Sequence, residues 1–175
     1  MEITIRKADA ADLDAVVRVY EHVHDAEEAG PAQVGWVRGV YPVRSTAEAA
    51  LERGDLFVEE ADGAVVGTGI FNRLQADVYA GAPWQYDAQD DQIMALHTLT
   101  VDPELSGQGI GRAFVQFYED TARERGCAVL RMDTNAKNAA ARRLYAHLGY
   151  READIVPCAF NSIPNVRLVL LEKKL

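Results

Sequence analysis

Cysteine is scarce in this chain: only Cys127 and Cys158 occur in 175 residues, without metal-ligand spacing. Cys127 lies in the apolar run Gly126-Cys-Ala-Val-Leu, which reads as a buried strand, so both cysteines read as structural thiols. No metal is implied. No apolar run approaches the ~20 residues that a membrane-spanning helix requires. A basic tract is also missing: 18 Lys and Arg stand against 27 Asp and Glu, a formal net charge of −9. That balance argues against a general nucleic-acid-binding role. It suits a cationic partner, although solubility alone accounts for it. The opening residues, Met1-Glu-Ile-Thr-Ile-Arg, carry neither a basic nor an apolar stretch, so they read as a strand rather than a leader. A cytoplasmic location is expected. Repeats, low-complexity tracts and dividing linkers are absent. At 49% hydrophobic and 26% charged residues, one globular domain over 1–175 is expected.

What the chain does have is periodicity. Ile3 and Ile5 alternate with polar residues, as in a strand. Leu13, Val16, Val17, Tyr20 and Val23 keep helical spacing across 8–28, with Asp9 or Asp12 as cap. Residues 29–43 are rich in Gly and Pro and carry Trp36 and Tyr41. A short helix over 45–53 is closed by Gly54. Strands at 56–60 and 64–72 flank Ala61-Asp-Gly, a hairpin turn. Residues 73–91 form a polar and aromatic connection with Trp84, Tyr86 and the aspartates Asp77, Asp87, Asp90 and Asp91. A strand over 93–101 ends at Asp102-Pro103. Ile110, Ala113, Phe114 and Phe117 mark one face of a helix that Gly126 stops. A strand at 128–132 leads to a helix capped by Asn138, with Ala141, Leu144, Tyr145 and Leu148 inward and Gly149 at its end. Strands at 150–155 and 166–172 follow. The order β-α-α-β-β-β-α-β-α-β-β mixes hairpins with crossovers, which predicts an α/β fold with a mixed sheet covered by helices.

The densest chemical signal is Leu105-Ser-Gly-Gln-Gly-Ile-Gly-Arg112, between a strand and a helix. Alternating glycines before a helix gather backbone N–H groups at its positive end with no Cβ in the way, which suits a phosphate. The spacing is not the dinucleotide pattern, because the third glycine comes one residue early and no acidic residue stands in the ribose role. Gly111-Arg-Ala lacks the Gly-Lys-Ser/Thr ending of a nucleoside triphosphate loop. Dinucleotides and nucleoside triphosphates therefore rank low.

This loop, its flanking elements and the later Asn138-Ala-Ala-Ala-Arg-Arg-Leu-Tyr-Ala-His-Leu-Gly-Tyr150 together resemble the GNAT superfamily of N-acetyltransferases. The matching core covers residues 93–155, and Leu96-His-Thr-Leu-Thr-Val-Asp-Pro103 resembles the family's fourth strand. The resemblance implies a central mixed sheet of about six or seven strands flanked by helices, with acyl-CoA in the gap between strands 4 and 5. It implies an acetyl-CoA-dependent N-acetyltransferase in which a primary amine attacks the thioester directly. A sensor that binds acyl-CoA without turnover, or a transferase using another acyl group or a hydroxyl acceptor, would keep the same motifs. The family usually has Arg or Gln where Ser106 stands. Backbone amides carry most of the phosphate contact, so Ser106 weakens binding rather than removing it.

By the same resemblance, Gly107, Gln108, Gly109, Ile110, Gly111 and Arg112 cradle the CoA pyrophosphate. Asn138 contacts CoA while also capping its helix, and Asn135 is a weaker candidate. Leu99, Thr100 and Val101 offer main-chain groups to the pantetheine arm and the acetyl carbonyl, where an N–H stabilises developing negative charge. Tyr145 matches the family's general acid: a phenol with pKa ~10 stays protonated and can donate to a thiolate whose conjugate acid lies near ~8.5. The general base is open among His97, Asp133 and water. His97 leads to the acetyl site, its strand parity matches Leu99 and Val101, and an imidazole suits base duty. Trp36, Tyr41, Trp84 and Tyr86 either shape the acceptor site or plug the core. The aspartates near 87–91 read as a solvated loop. Phe160 and Asn161, in an irregular segment at 155–164, are expected to reach into the acceptor pocket. The acceptor is a small-molecule or peptide amine, and an exposed sheet edge is compatible with a homodimer.

Overall fold

The computed structural model describes residues 1–31 and 33–175. Seven strands form one sheet: β1 (Ile3–Lys7), β2 (Leu56–Ala61), β3 (Ala64–Asn72), β4 (Ile93–Val101), β5 (Val129–Asn135), β6 (Arg151–Phe160) and β7 (Ile163–Lys174). Four helices flank it: α1 (Leu13–Ala29), α2 (Arg44–Arg53), α3 (Ile110–Glu124) and α4 (Ala139–His147). The spatial order is β1-β2-β3-β4-β5-β7-β6. Every neighbouring pair is antiparallel except β4 and β5, which run parallel. The expected mixed α/β sheet is what forms. No helix of the described residues is long and apolar enough to cross a membrane.

Strand alternation sends side chains to two faces. Phe57, Phe71, Met94, Leu96, Leu130 and Met132 meet α3 and α4 through Phe114, Tyr118 and Tyr145. On the other face, Leu56, Val58 and Ile70 pack against Val16, Val19, Tyr20, Ala47 and Ala50 of α1 and α2. Further along that face, Ala95, Leu168 and Leu170 lie under Tyr79 of the 73–91 connection. Local signals set the boundaries. Asp9 accepts from the Ala11 amide, while the Asp12 side chain returns to the Asp9 amide, a reciprocal cap ahead of α1. Asp62 and Gly63 take positive φ of 50° and 83°, as the β2–β3 hairpin requires.

Two expectations need correction. Residues 155–164 are not irregular: β6 continues to Phe160 and turns through Asn161 and Ser162, both at positive φ, into β7 at Ile163. Antiparallel pairing with β7 supplies the backbone partners that local composition did not reveal. The parity of His97 is also reversed. His97 pairs with Ile70 and Thr100 pairs with Thr68, so Thr98 and Leu99 together oppose Gly69 in a bulge. Leu99 and Val101 therefore pack toward the α3 side, whereas His97 shares the α1 and α2 side with Ile70.

Candidate active site

The parallel pairing of β4 with β5 runs from Ile93↔Val129 to Leu96↔Met132 and stops there. Beyond it, β4 stays with β3 and β5 stays with β7, so the sheet opens into a V. The split has a local cause. Thr98, a β-branched residue, holds φ at 53°, a conformation such residues rarely adopt. Its carbonyl accepts from the Thr100 hydroxyl at 3.0 Å, and its own hydroxyl bonds to Tyr41 Oη. The facing Gly69 has no room for a side chain, since an added Cβ would lie 2.6 Å from Phe114. Past Leu96, the β4 main chain through Leu99, Thr100 and Val101 is unpaired on its β5 side.

A cavity of about 1460 Å³ runs through this opening. That exceeds the ~300–1,000 Å³ of an ordinary small-molecule site and leaves room for two reactants. One end is the glycine loop. Gly107 and Gly109 take φ of 80° and 85°, and a Cβ at either would meet nothing within 4 Å. The loop thus presents bare backbone to open space. Gly109 caps α3, whose first-turn amides at Ile110, Gly111 and Arg112 have no intrahelical acceptor. These donors, the helix dipole and the open cradle fit a diphosphate. The Gln108 amide donates to the Leu105 carbonyl at 3.2 Å and so helps shape the turn. Gly111 sits in the helix, where a Cβ would make ordinary contact with Leu144 at 3.5 Å. Asn138 acts as the expected cap, its Oδ1 accepting from the Ala141 amide at 3.0 Å. Asn138 and Arg112 also line the cavity.

Beneath this loop lies a liability that sequence reading missed. Glu59 of β2 is fully buried, and neither carboxyl oxygen finds a partner among the described residues. Its side chain lies against Gly67, where an added Cβ would sit 3.0 Å from Oε2 and 3.4 Å from Ile110 at the start of α3. Burial pushes its carboxyl up to about 8.

Midway, three titratable groups surround the split. His97 and Asp133 directly follow the last paired residues of their strands and lie on the same face of the sheet. Tyr145 comes from α4 on the opposite face. Its ring packs edge-on against Tyr150, its hydroxyl makes no hydrogen bond among the described residues, and it lines the cavity. Burial, with the nearby Asp133 charge, holds the phenol above its ordinary value. Asp133 Oδ2 accepts from Tyr79 Oη at 2.6 Å. Burial raises its carboxyl to about 6, against the lowering effect of that bond. His97 has its imidazole pushed below the ordinary value, chiefly by burial. Its Nε2 lies 3.0 Å from Asn72 Oδ1.

The far end is assembled from distant segments. Trp36 and Tyr41, packed edge-on, line it from the α1–α2 connection. Glu27 holds that connection by accepting from the Val34 and Gly35 amides at 2.9 and 2.6 Å. Gly35 presses on Asn135, whose side chain leaves no room for a Cβ. Phe160 and Asn161 line the same end, as expected. Trp84 and Tyr86 do not. Trp84 stacks under Arg131 at 4.1 Å, and the Tyr86 amide donates to the buried Glu172 at 3.0 Å. Asp87, Asp90 and Asp91 are exposed, as a solvated loop should be. Tyr79 carried no signal in the sequence beyond being aromatic; only the fold brings it to Asp133.

Comparison with known proteins agrees with this geometry. Residues 17–150 match the model of the Acetyltransferase (GNAT) family. A curated relative, the ribosomal protein bS18-alanine N-acetyltransferase of Escherichia coli, is 43% identical over 60 residues, which are 34% of this chain and 40% of the relative's length. The ribosomal-protein-alanine N-acetyltransferase of Brucella melitensis superposes with a TM-score of 0.71 at 25% identity, covering 98% of this chain and 99% of that one. A Salmonella typhimurium protein solved with its cofactor acetyl-CoA gives a TM-score of 0.68 at 23% identity, covering 98% and 93%. With the glycine cradle, the split between β4 and β5 and a family match over most of its length, the chain belongs to the GNAT family of acetyltransferases.

Proposed function

We propose that this chain is one acetyltransferase domain that moves an acetyl group from acetyl-CoA to a primary amine by direct attack on the thioester. The observation that carries the reading is the sheet that splits after Leu96 and Met132, with Tyr145 on one face and His97 and Asp133 on the other. Acetyl-CoA, when bound, supplies the activated acyl group. The first-turn amides of α3, with Gly107, Gly109 and Arg112, hold its diphosphate. The unpaired main chain from Leu99 to Val101 steers the pantetheine arm and stabilises negative charge on the acyl oxygen. Asp133, anionic at neutral pH, attracts the incoming ammonium across from His97. His97, kept neutral by burial, takes the amine proton. Tyr145 Oη, kept protonated, donates to the departing sulfur from the other face. Proton uptake and proton donation are thereby separated by the sheet.

The acceptor is a small-molecule or peptide amine. By its name, a relative acts on the alanine of a ribosomal protein, which supports the amine class. Free-thiol release from acetyl-CoA, measured across a panel of small amines and peptide N-termini, tests the proposal. Turnover with an amine is the expected result. Binding of CoA without turnover across the panel would leave a sensor instead.

A second reading is favoured by the raised carboxyl of Asp133, which makes it a competent base in its own right. If His97 is the base, His97→Asn lowers kcat roughly 100-fold, while Asp133→Asn mainly raises the acceptor KM. The reverse pattern assigns the proton to Asp133.

A further inference from the structure

The side chains beside His97 form a chain through Asn72 and Asp55 to Arg53, of which Asn72 and Arg53 also line the cavity. Asn72 Oδ1 accepts from the Leu74 amide at 2.9 Å. Asn72 Nδ2 donates to Asp55 Oδ2 at 2.8 Å. Arg53 spans both Asp55 oxygens, Nε to Oδ2 at 3.0 Å and Nη2 to Oδ1 at 3.2 Å. A backbone N–H can only donate and a carboxylate can only accept, so the orientation of the Asn72 amide is fixed from two sides. Its oxygen is therefore the atom facing His97 Nε2, and that nitrogen must carry a proton. The Leu74 main chain also favours the protonated ring; with Nε2 carrying the proton in the neutral ring, Nδ1 is the nitrogen with the lone pair.

We infer that Asp55 and Asn72 are positioning residues: they hold His97 as the Nε2–H tautomer and so make Nδ1 the atom that receives the amine proton. The second half of this statement rests on the acetyl-transfer reading above; the tautomer itself does not. The arrangement differs from a carboxylate set directly against the imidazole. A neutral amide stands between them, so the ring is oriented without an anion to raise its basicity strongly. The charged and titratable groups around the ring are Asp55 and Arg53 from the α2–β2 corner and Asp133 across the split, with the Tyr41 phenol beyond Thr98. Neither Asp55 nor Asn72 was singled out in the sequence. Asp55 follows the glycine that ends α2, and Asn72 closes β3, so only the antiparallel β3–β4 pairing brings them behind His97.

The test has two arms. Nitrogen-15 NMR of the labelled protein, at a pH where the imidazoles are neutral, reads the tautomer of each of the four histidines, with His97→Asn providing the assignment. The expected result is Nε2–H at His97 in the native chain and a mixed tautomer in Asn72→Ala. An Nδ1–H tautomer in the native chain, or an unchanged one in Asn72→Ala, overturns the relay. The second arm is kinetic. Asn72→Ala should lower kcat roughly 10-fold, part of the ~10²–10⁴ that general-base catalysis contributes, with CoA affinity unchanged. The double variant Asp55→Asn with Asn72→Asp places an anion against Nε2–H without a second carboxylate beside it, and should raise the acidic limb of the pH–rate profile by about one unit. A stationary limb in the folded double variant overturns the positioning role. Full turnover in His97→Asn would instead remove His97 from the mechanism, and the NMR arm would still judge the tautomer.

Discussion

The two ends of the cavity are built in opposite ways. The glycine end is a contiguous stretch, from Leu105 to Arg112, whose function rests on backbone: positive φ at Gly107 and Gly109 and bare amides at the start of α3. The far end draws Trp36 and Tyr41, Asn72, Asp133 and Phe160 from four places in the chain, and presents side chains. A phosphate cradle needs only local geometry, which a short motif can encode completely. Recognition and deprotonation of an amine need groups converging from several directions, which only packing can deliver. The first end accordingly has a sequence signature and the second has none.

Substitutions can break that contrast. The largest effect is expected at Gly109→Trp, which puts a side chain at a φ of 85° and an indole into the cradle. CoA binding by calorimetry should weaken on the order of 100-fold or more while circular dichroism shows the fold intact. Retained affinity would remove the loop from cofactor binding.

Glu59 sharpens the comparison from below, since its buried carboxyl burdens the glycine end. The folded-state value of about 8 lies above the ordinary 4.5. The unfolded chain therefore releases its proton first as pH rises, and stability falls between those values and levels off above about 8. The loss amounts to roughly 3 kcal/mol at pH 7. Glu59→Gln should remove most of that slope in thermal denaturation between pH 5 and pH 8. An unaltered slope would show that another group is responsible.

Tyr145→Phe tests the middle of the cavity. Turnover should drop about 100-fold with CoA affinity nearly unchanged. Unchanged kcat would reduce Tyr145 to a packing residue. The smallest effect is expected at Asn138→Ala, which loses the α4 cap and about 1 kcal/mol of stability. Should CoA affinity fall much more than twofold as well, Asn138 touches the cofactor in addition to capping.

Much of the fold was legible because its signals are local. The helical spacing of α1 and α3, the Asp62-Gly63 hairpin and the Asn138 cap all depend on residues within one element. The strand register was not legible in the same way. The strand parity expected of His97 is reversed because one extra residue at Thr98 shifts the alternation, and no local signal marks a threonine that will sit at positive φ. The ends of β6 and β7 were missed because their pairing depends on each other.

The sequence by itself determined the glycine loop ahead of α3, the element order and the family, because glycine placement, capping and hydrophobic period act over a few residues. Tertiary structure decided which groups line the cavity together: the split after Leu96 and Met132, His97 and Asp133 on one face of the sheet, Tyr79 on Asp133, and Asp55 with Asn72 beside the imidazole. Those relations depend on strand register and side-chain direction between segments far apart in the chain, and they exist only once the sheet has formed.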